Sequence, residues 1–129
     1  YLLRELTKNK KLEKIKIDIK GREFLINNFY DGIAKLEFNQ LCNTNIGAED
    51  YIKIADTCSF IVIQNIPCFN DENANQQQRF ITLIDILYEK KISIMISMAT
   101  RLENIGSSKK LFSPFKRTLS RIFELTAPK

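Results

Sequence analysis

Hydrophobic and polar positions change their period several times along the chain, and each change marks an element. Ile15, Ile17 and Ile19 alternate with Lys16, Asp18 and Lys20, a period of two that predicts a half-buried strand. Gly21 permits a tight turn, and Phe24-Leu25-Ile26 predicts a second strand. Asp31-Gly32 is a turn signal, after which Ile33, Leu36 and Phe38 predict a third strand. Residues 15–38 thus read as an antiparallel meander. A short helix is expected over 48–56, after Gly47. Phe60-Ile61-Val62-Ile63 is an unbroken apolar run ahead of Pro67, the pattern of a strand buried on both faces.

The pattern then shifts to the helical period. Phe80, Leu83, Ile84 and Leu87 make one stripe over 71–91, widened by Ile81 and Tyr88. Asn70 or Asp71 can cap this helix, with Asp71 and Glu72 at its positive end and Lys90 and Lys91 at its negative end. Ile92, Ile94 and Ile96 predict a strand directly after it. Strand 60–64, helix 72–90 and strand 92–97 form a βαβ unit, for which a right-handed crossover and a parallel strand pair are expected. Residues 103–113 read as a loop. Ser113-Pro114 reads as an N-cap followed by proline at the first helical position. The closing helix, 114–125, places Phe115, Leu119, Ile122 and Phe123 on one face and Arg117, Arg121 and Glu124 on another. The expected fold is α/β: an N-terminal meander, a βαβ unit and a C-terminal helix. It forms one domain over 15–129, preceded by a lysine-rich lead-in over 1–14 that reads as a short helix or as disorder.

Composition narrows the chemistry. The chain has 129 residues, the length of one domain, and no apolar run long enough to span a membrane. It begins at Tyr1 without an initiator Met or a signal-peptide pattern, as a chain entered part-way would. There is no His, which removes His-based nucleophile systems, His general bases and His-ligated metals. The four glycines, at 21, 32, 47 and 106, are scattered, so no glycine-rich phosphate loop can be written. Cys42, Cys58 and Cys68 are odd in number and form no C-x-x-C. Free, buried thiols in a reducing compartment are expected. Charge is divided: +5 over residues 1–22, −5 over 23–108 and +5 over 109–129. Basic ends can mark contact with nucleic acid or an anionic membrane, or be solvated faces. Aromatics are not interleaved with the basic residues of 1–22, so nucleic acid is not an expected partner.

Three constellations stand out. Arg117 and Arg121 lie one turn apart and could hold a polyphosphate or a partner carboxylate, or be a surface pair in which Arg121 meets Glu124. Asp85 lies inside the apolar stripe that Arg79 precedes. A carboxylate there is either an ion-pair partner or a site residue of raised pKa. Asp50, Asp56, Asp71 and Glu72 lack the spacing of a cation loop, and no metal site or catalytic residue is expected. From the residues alone, the reading stops at an α/β domain.

Several short motifs, in order, resemble one family. Phe38-Asn39-Gln40-Leu41-Cys42 with Gly47-Ala48-Glu49-Asp50-Tyr51 resembles F-x-x-L-C…G-A-x-D-Y. Asn65-Ile66-Pro67 resembles D-[IV]-P, with Asn65 in place of the usual Asp. Residues Arg79 to Tyr88 resemble R-F-I-x-L-[IV]-D-x-[LF]-Y, and Arg117-Thr118-Leu119-Ser120-Arg121 with Glu124 resembles R-T-x-S-R-L-x-E. The family is the ZapE cell-division ATPases and their mitochondrial relatives of the ATPase-family-gene-one type, and the resemblance runs from about residue 15 to 126. It implies the C-terminal part of a P-loop ATPase related to the AAA+ class, with Walker A and Walker B upstream of this region. ATP and Mg²⁺ would then belong to the intact protein only, and this chain alone would be inactive. Arg117 and Arg121 become nucleotide-sensing candidates, and Arg79, Asp85 and Glu124 ion-pair or interface candidates. The implied partners are the upstream P-loop half, other subunits of an oligomer, and FtsZ or a membrane-protein client. The implied location is the bacterial cytoplasm, at the inner face of the membrane, or the mitochondrion in a eukaryote. The alternative is a stand-alone adaptor or an anion- or nucleic-acid-binding α/β module without enzymatic activity, marked by its basic ends.

Overall fold

Five strands form a single sheet in the order β1-β2-β3-β4-β5: β1 Glu13–Ile19, β2 Arg22–Tyr30, β3 Ile33–Glu37, β4 Phe60–Ile66 and β5 Ser93–Met98. The computed structural model describes residues 13–19, 22–30, 32–42, 47–98, 100 and 104–126. Residues 1–12 of the expected lead-in, the Gly21 turn and Asp31 lie outside them. Glu13 and Lys14 belong to β1. The meander is present, β1–β2 and β2–β3 being antiparallel. Ile15 opposes Ile26 while Glu13 opposes Phe29. That extra residue on β2 is a bulge, which bends the strand and sharpens its twist. The parallel part is larger than the sequence pattern shows. β3 pairs parallel with β4, and β4 with β5, so two crossovers exist.

The first crossover carries α1 (Phe38–Cys42) and α2 (Ala48–Thr57), and the second carries α3 (Ala74–Glu89). Phe38 opens α1 rather than closing β3. Ahead of α3, Asp71–Asn73 form a 3-10 turn. Asn70 caps it, its side chain accepting from the Glu72 N–H at 2.8 Å. Phe80, Ile81, Leu83, Ile84 and Leu87 are all buried. They join Ile17, Ile26, Leu36, Ile61, Ile63 and Ile94 of the sheet in one cluster. Four rings bind the layers together: Phe38, Phe69 and Phe80 have centroids 5.6–5.8 Å apart, and Phe115 meets Phe69 edge-on at 5.4 Å.

The end of α3 and the far end of β4 use left-handed backbone without glycine. Lys91 has φ 57. The Ile92 N–H reaches the Leu87 carbonyl at 3.0 Å and the Lys91 N–H that of Tyr88 at 3.2 Å, the two bonds of a Schellman ending. Lys91→Gly is therefore expected to raise stability by about 1 kcal/mol, read as a higher midpoint in thermal unfolding. Asn65, at φ 60, interrupts the β4–β5 register between Ile63 and Ile66. Asn is among the few non-glycine residues that tolerate this region, and its amide donates to Glu37 Oε2 at 2.6 Å.

The closing helix, α4, runs Phe112–Thr126, so the expected start at Pro114 is corrected. The turn ahead of it supplies the cap: the Leu111 N–H bonds the Ser108 carbonyl and hydroxyl, and the Phe115 N–H the Leu111 carbonyl at 2.9 Å. Pro114 sits in the first turn, where its missing N–H costs nothing. The buried face is Phe115, Thr118, Ile122 and Leu125. Phe123, expected on it, is 56% exposed. Residues 104–111 are more pinned than a free loop. Buried Gln77 donates to Ser107 Oγ at 2.7 Å and accepts from the Ser108 N–H at 2.9 Å. Gly106, at φ 80, lies where an added Cβ would sit 2.7 Å from the Phe69 carbonyl oxygen.

Of the three thiols, Cys42 and Cys58 are buried and Cys68 is exposed, which corrects the expectation for the last. Burial pushes Cys42 and Cys58 up to about 12 from the ordinary 9.0. The native state then holds two protons that the unfolded chain releases above about pH 9. Stability should be full below that pH and fall, between about 9 and 12, by roughly 1.4 kcal/mol per pH unit for each thiol. Thermal midpoints across that range check this, and Cys58→Ala should make the fall shallower.

Candidate functional site

The residues that carry the motifs are distant in sequence, and the fold brings them together in two groups. The first joins α1, α2 and α3. The Tyr51 hydroxyl, fully buried, donates to the Leu41 carbonyl at 2.6 Å, and Arg79 donates to the Cys42 carbonyl at 3.1 Å. The Cys42 thiol hydrogen-bonds Tyr51, and burial, with Cys42 beside it, raises the phenol far above its usual range. Asp50, also buried, accepts from the Gly47 N–H at 2.7 Å and opens α2. These groups satisfy backbone ends and bury polar atoms in pairs. Their chemistry is spent on holding the helices.

The second group joins α3 to α4. Asp85 and Tyr88 stand one turn apart on α3, facing Arg121 and Glu124 on α4. Arg121 Nη1 lies 2.5 Å from Asp85 Oδ1, and its guanidinium stacks 4.7 Å from the centre of the Tyr88 ring. Tyr88 in turn hydrogen-bonds Glu124, whose carboxylate raises the phenol above its ordinary pKa. The pair is half-buried, with 24% of the Arg121 side chain and 33% of the Asp85 side chain exposed. Asp85 is thus an ion-pair partner, and Arg121 meets it rather than Glu124. Breaking the pair by Arg121→Ala or Asp85→Ala is expected to cost about 1–2 kcal/mol. A double-mutant cycle read by denaturant unfolding should return a coupling of about 1 kcal/mol.

Arg117 is the exception among the motif's charged residues. It is exposed, one turn before Arg121, and among the described residues no hydrogen bond or ion pair holds it. The remaining acids are dispersed: Asp56 pairs with Lys90 at 2.6 Å, and Asp71 accepts from the Lys109 N–H at 2.8 Å. Two open hollows flank the α3–α4 group. One, of about 310 Å³, is lined by Tyr88, Lys91, Ser93, Glu124 and Leu125. The other, of about 400 Å³, is lined by Ile52, Asp85, Ile86, Glu89 and Lys90. Neither offers a phosphate cradle. Gly32 packs on Ser59 and Gly106 on Phe69, while Gly47 opens α2, so the described glycines do not fit a nucleotide.

Sequence reasoning missed Gln77, Tyr88 as a stacking partner, and the left-handed Asn65. Only the last carried a local signal, since Asn before an apolar-Pro pair is a residue type that accepts positive φ.

The family model for AFG1-like ATPases matches residues 1–129. The chain is 30% identical over 89 residues to Lactation elevated protein 1 homolog B of Danio rerio, a stretch covering 69% of this chain and 18% of that protein. It is 27% identical over 90 residues to Cell division protein ZapE of Escherichia coli, covering 70% and 24%. An uncharacterized protein of Schizosaccharomyces pombe matches at 27% over 89 residues, covering 69% and 20%. The matched stretch therefore spans only 18–24% of the length of these curated relatives. No solved structure matches. On the match across its whole length, and with the motif residues of that family folded against one another, the chain belongs to the AFG1-like ATPase family.

Proposed function

We propose that this domain completes an ATPase whose nucleotide, ATP with Mg²⁺, is held by a P-loop segment elsewhere in the protein, and that Arg117 is the residue by which it senses that nucleotide. The observation that carries this reading is the division between the two arginines. Arg121 is committed to Asp85 and Tyr88, and it sets the pitch of α4 against α3. Arg117 projects from the helix so fixed. A guanidinium with no internal partner is suited to offsetting phosphate charge, because its planar fork meets oxyanions two at a time. Since the described residues form no cradle, the phosphates would come from the P-loop segment or from a neighbouring subunit of an oligomer. The process served is read as cell division, with FtsZ as client, a reading supported by the name of the relative Cell division protein ZapE. Inner-membrane protein quality control, with a membrane-protein client, is the alternative.

The test compares Arg117→Ala with Arg121→Ala in the ATPase polypeptide that carries this sequence. Loss of turnover at unchanged melting temperature should belong to the first, and loss of stability to the second. Full turnover in Arg117→Ala overturns the reading.

A further inference from the structure

Helix α4 carries a second face that the core does not use. Phe112 is 57% exposed and Phe123 is 56% exposed. Eleven residues apart, they fall within about 20° of one another round the helix and about 16 Å apart along it. Lys116 lies between them, its Nζ 4.8 Å from the centre of the Phe112 ring, and half-buried Leu119 joins the stripe to the core. The other exposed large apolar residues, Leu25 and Ile52, stand singly on β2 and α2. Lys109 and Lys110, in the turn ahead of α4, and Lys116 beside the stripe are exposed. Glu124, the one acid of α4, lies about 110° away round the helix, on the side of Arg117, and faces Tyr88. Asp71 stands near the turn, occupied by the Lys109 N–H.

We propose that α4 seats the domain on an anionic lipid surface, with Phe112 and Phe123 inserted at the headgroup boundary and Lys116 reaching the phosphates between them. Two features favour lipid over a protein partner. A protein interface would have to desolvate the Lys116 ammonium at the centre of the patch, where lysine is normally depleted. A lipid surface lets its stem lie along the apolar layer while the charge stays with phosphate. The lysines at the amino end of α4, Lys109, Lys110 and Lys116, match the potential of an anionic leaflet. No described helix is long and apolar enough to cross a membrane, so the contact is peripheral. It requires nothing of the nucleotide reading.

The test is co-flotation of the protein with vesicles of phosphatidylcholine alone or of equimolar phosphatidylcholine and phosphatidylglycerol. Binding is expected to the anionic vesicles and to weaken as potassium chloride rises. The double substitution Phe112→Ser with Phe123→Ser should weaken it by on the order of tenfold or more, and Lys116→Glu should weaken it as well. Both rings are exposed, so the fold should survive, and far-ultraviolet circular dichroism checks that. The chain has no Trp, so Phe123→Trp provides a single reporter whose emission should shift to the blue on anionic vesicles. No binding to anionic vesicles overturns the proposal. So does equal binding by the double serine variant, which would leave charge alone as the cause. Capture of polyuridylate that is lost in the same serine variant would assign the face to RNA instead, and loss of binding to the P-loop segment with vesicle binding intact would assign it to a protein interface.

Discussion

Arg117→Ala is expected to lower ATP turnover by about a thousandfold, the lower end of what an arginine acting on transferring phosphoryl groups supplies. The side chain is exposed and unpaired among the described residues, so its removal should leave the folding free energy within about 0.5 kcal/mol. Nucleotide affinity should change far less than turnover, because the guanidinium would act most where charge develops. Arg117→Lys keeps the charge but loses the fork, and should recover only part of the rate. Phosphate release at saturating ATP, with thermal melts of each variant, separates these outcomes. A turnover loss in Arg117→Ala that tracks a lower melting temperature would mean that the residue holds structure and senses nothing.

Phe80→Ala should be the most damaging core substitution, costing about 3–5 kcal/mol. The ring is fully buried and touches both Phe38 and Phe69, at 5.8 and 5.6 Å. Phe38 opens α1, Phe69 precedes the α3 cap, and Phe115 of α4 leans on Phe69. One truncation therefore loosens α1, the segment before α3 and, at one remove, α4. The cavity cannot collapse easily, since Phe80 belongs to one close-packed cluster with the buried residues of the sheet. Urea unfolding of the purified chain measures the cost. A loss below about 1.5 kcal/mol would show that the neighbours refill the space.

Local period made much of the fold legible in the sequence. The alternation at Ile15, Ile17 and Ile19 and the stripe from Phe80 to Leu87 have one physical solution each, and the fold adopts it. The rest depended on contacts across the chain. Parallel pairing of β3 with β4 leaves no mark on β3, which is only five residues long. Ser113-Pro114 has the pattern of a helix start, but Ser108 caps the turn one step earlier, and nothing local distinguishes the two serines. Phe123 continues an apolar spacing and so reads as buried, whereas the core ends at Ile122 and Leu125. For the candidate site, the arginine pair was visible, but the division of labour between its members was not. Arg121 has a nearby acid in Glu124, and the fold instead supplies Asp85 from a helix thirty-six residues away.

The sheet's spatial order is its chain order, and this bears on how the domain comes into being. In many parallel α/β sheets a later strand must find a slot between two earlier ones. Here each described strand adds to the outer edge of the sheet already formed: the hairpin of β1 and β2 accepts β3, and Ile33 then receives Phe60 as Phe60 later receives Ser93. Growth can therefore proceed from the amino end during synthesis, with no step that undoes an earlier pairing. Growth of the described sheet ends when β5 is laid down, and α4 then docks on α3. A chain cut short before α4 would hold all five described strands and yet lack the clamp through Arg121.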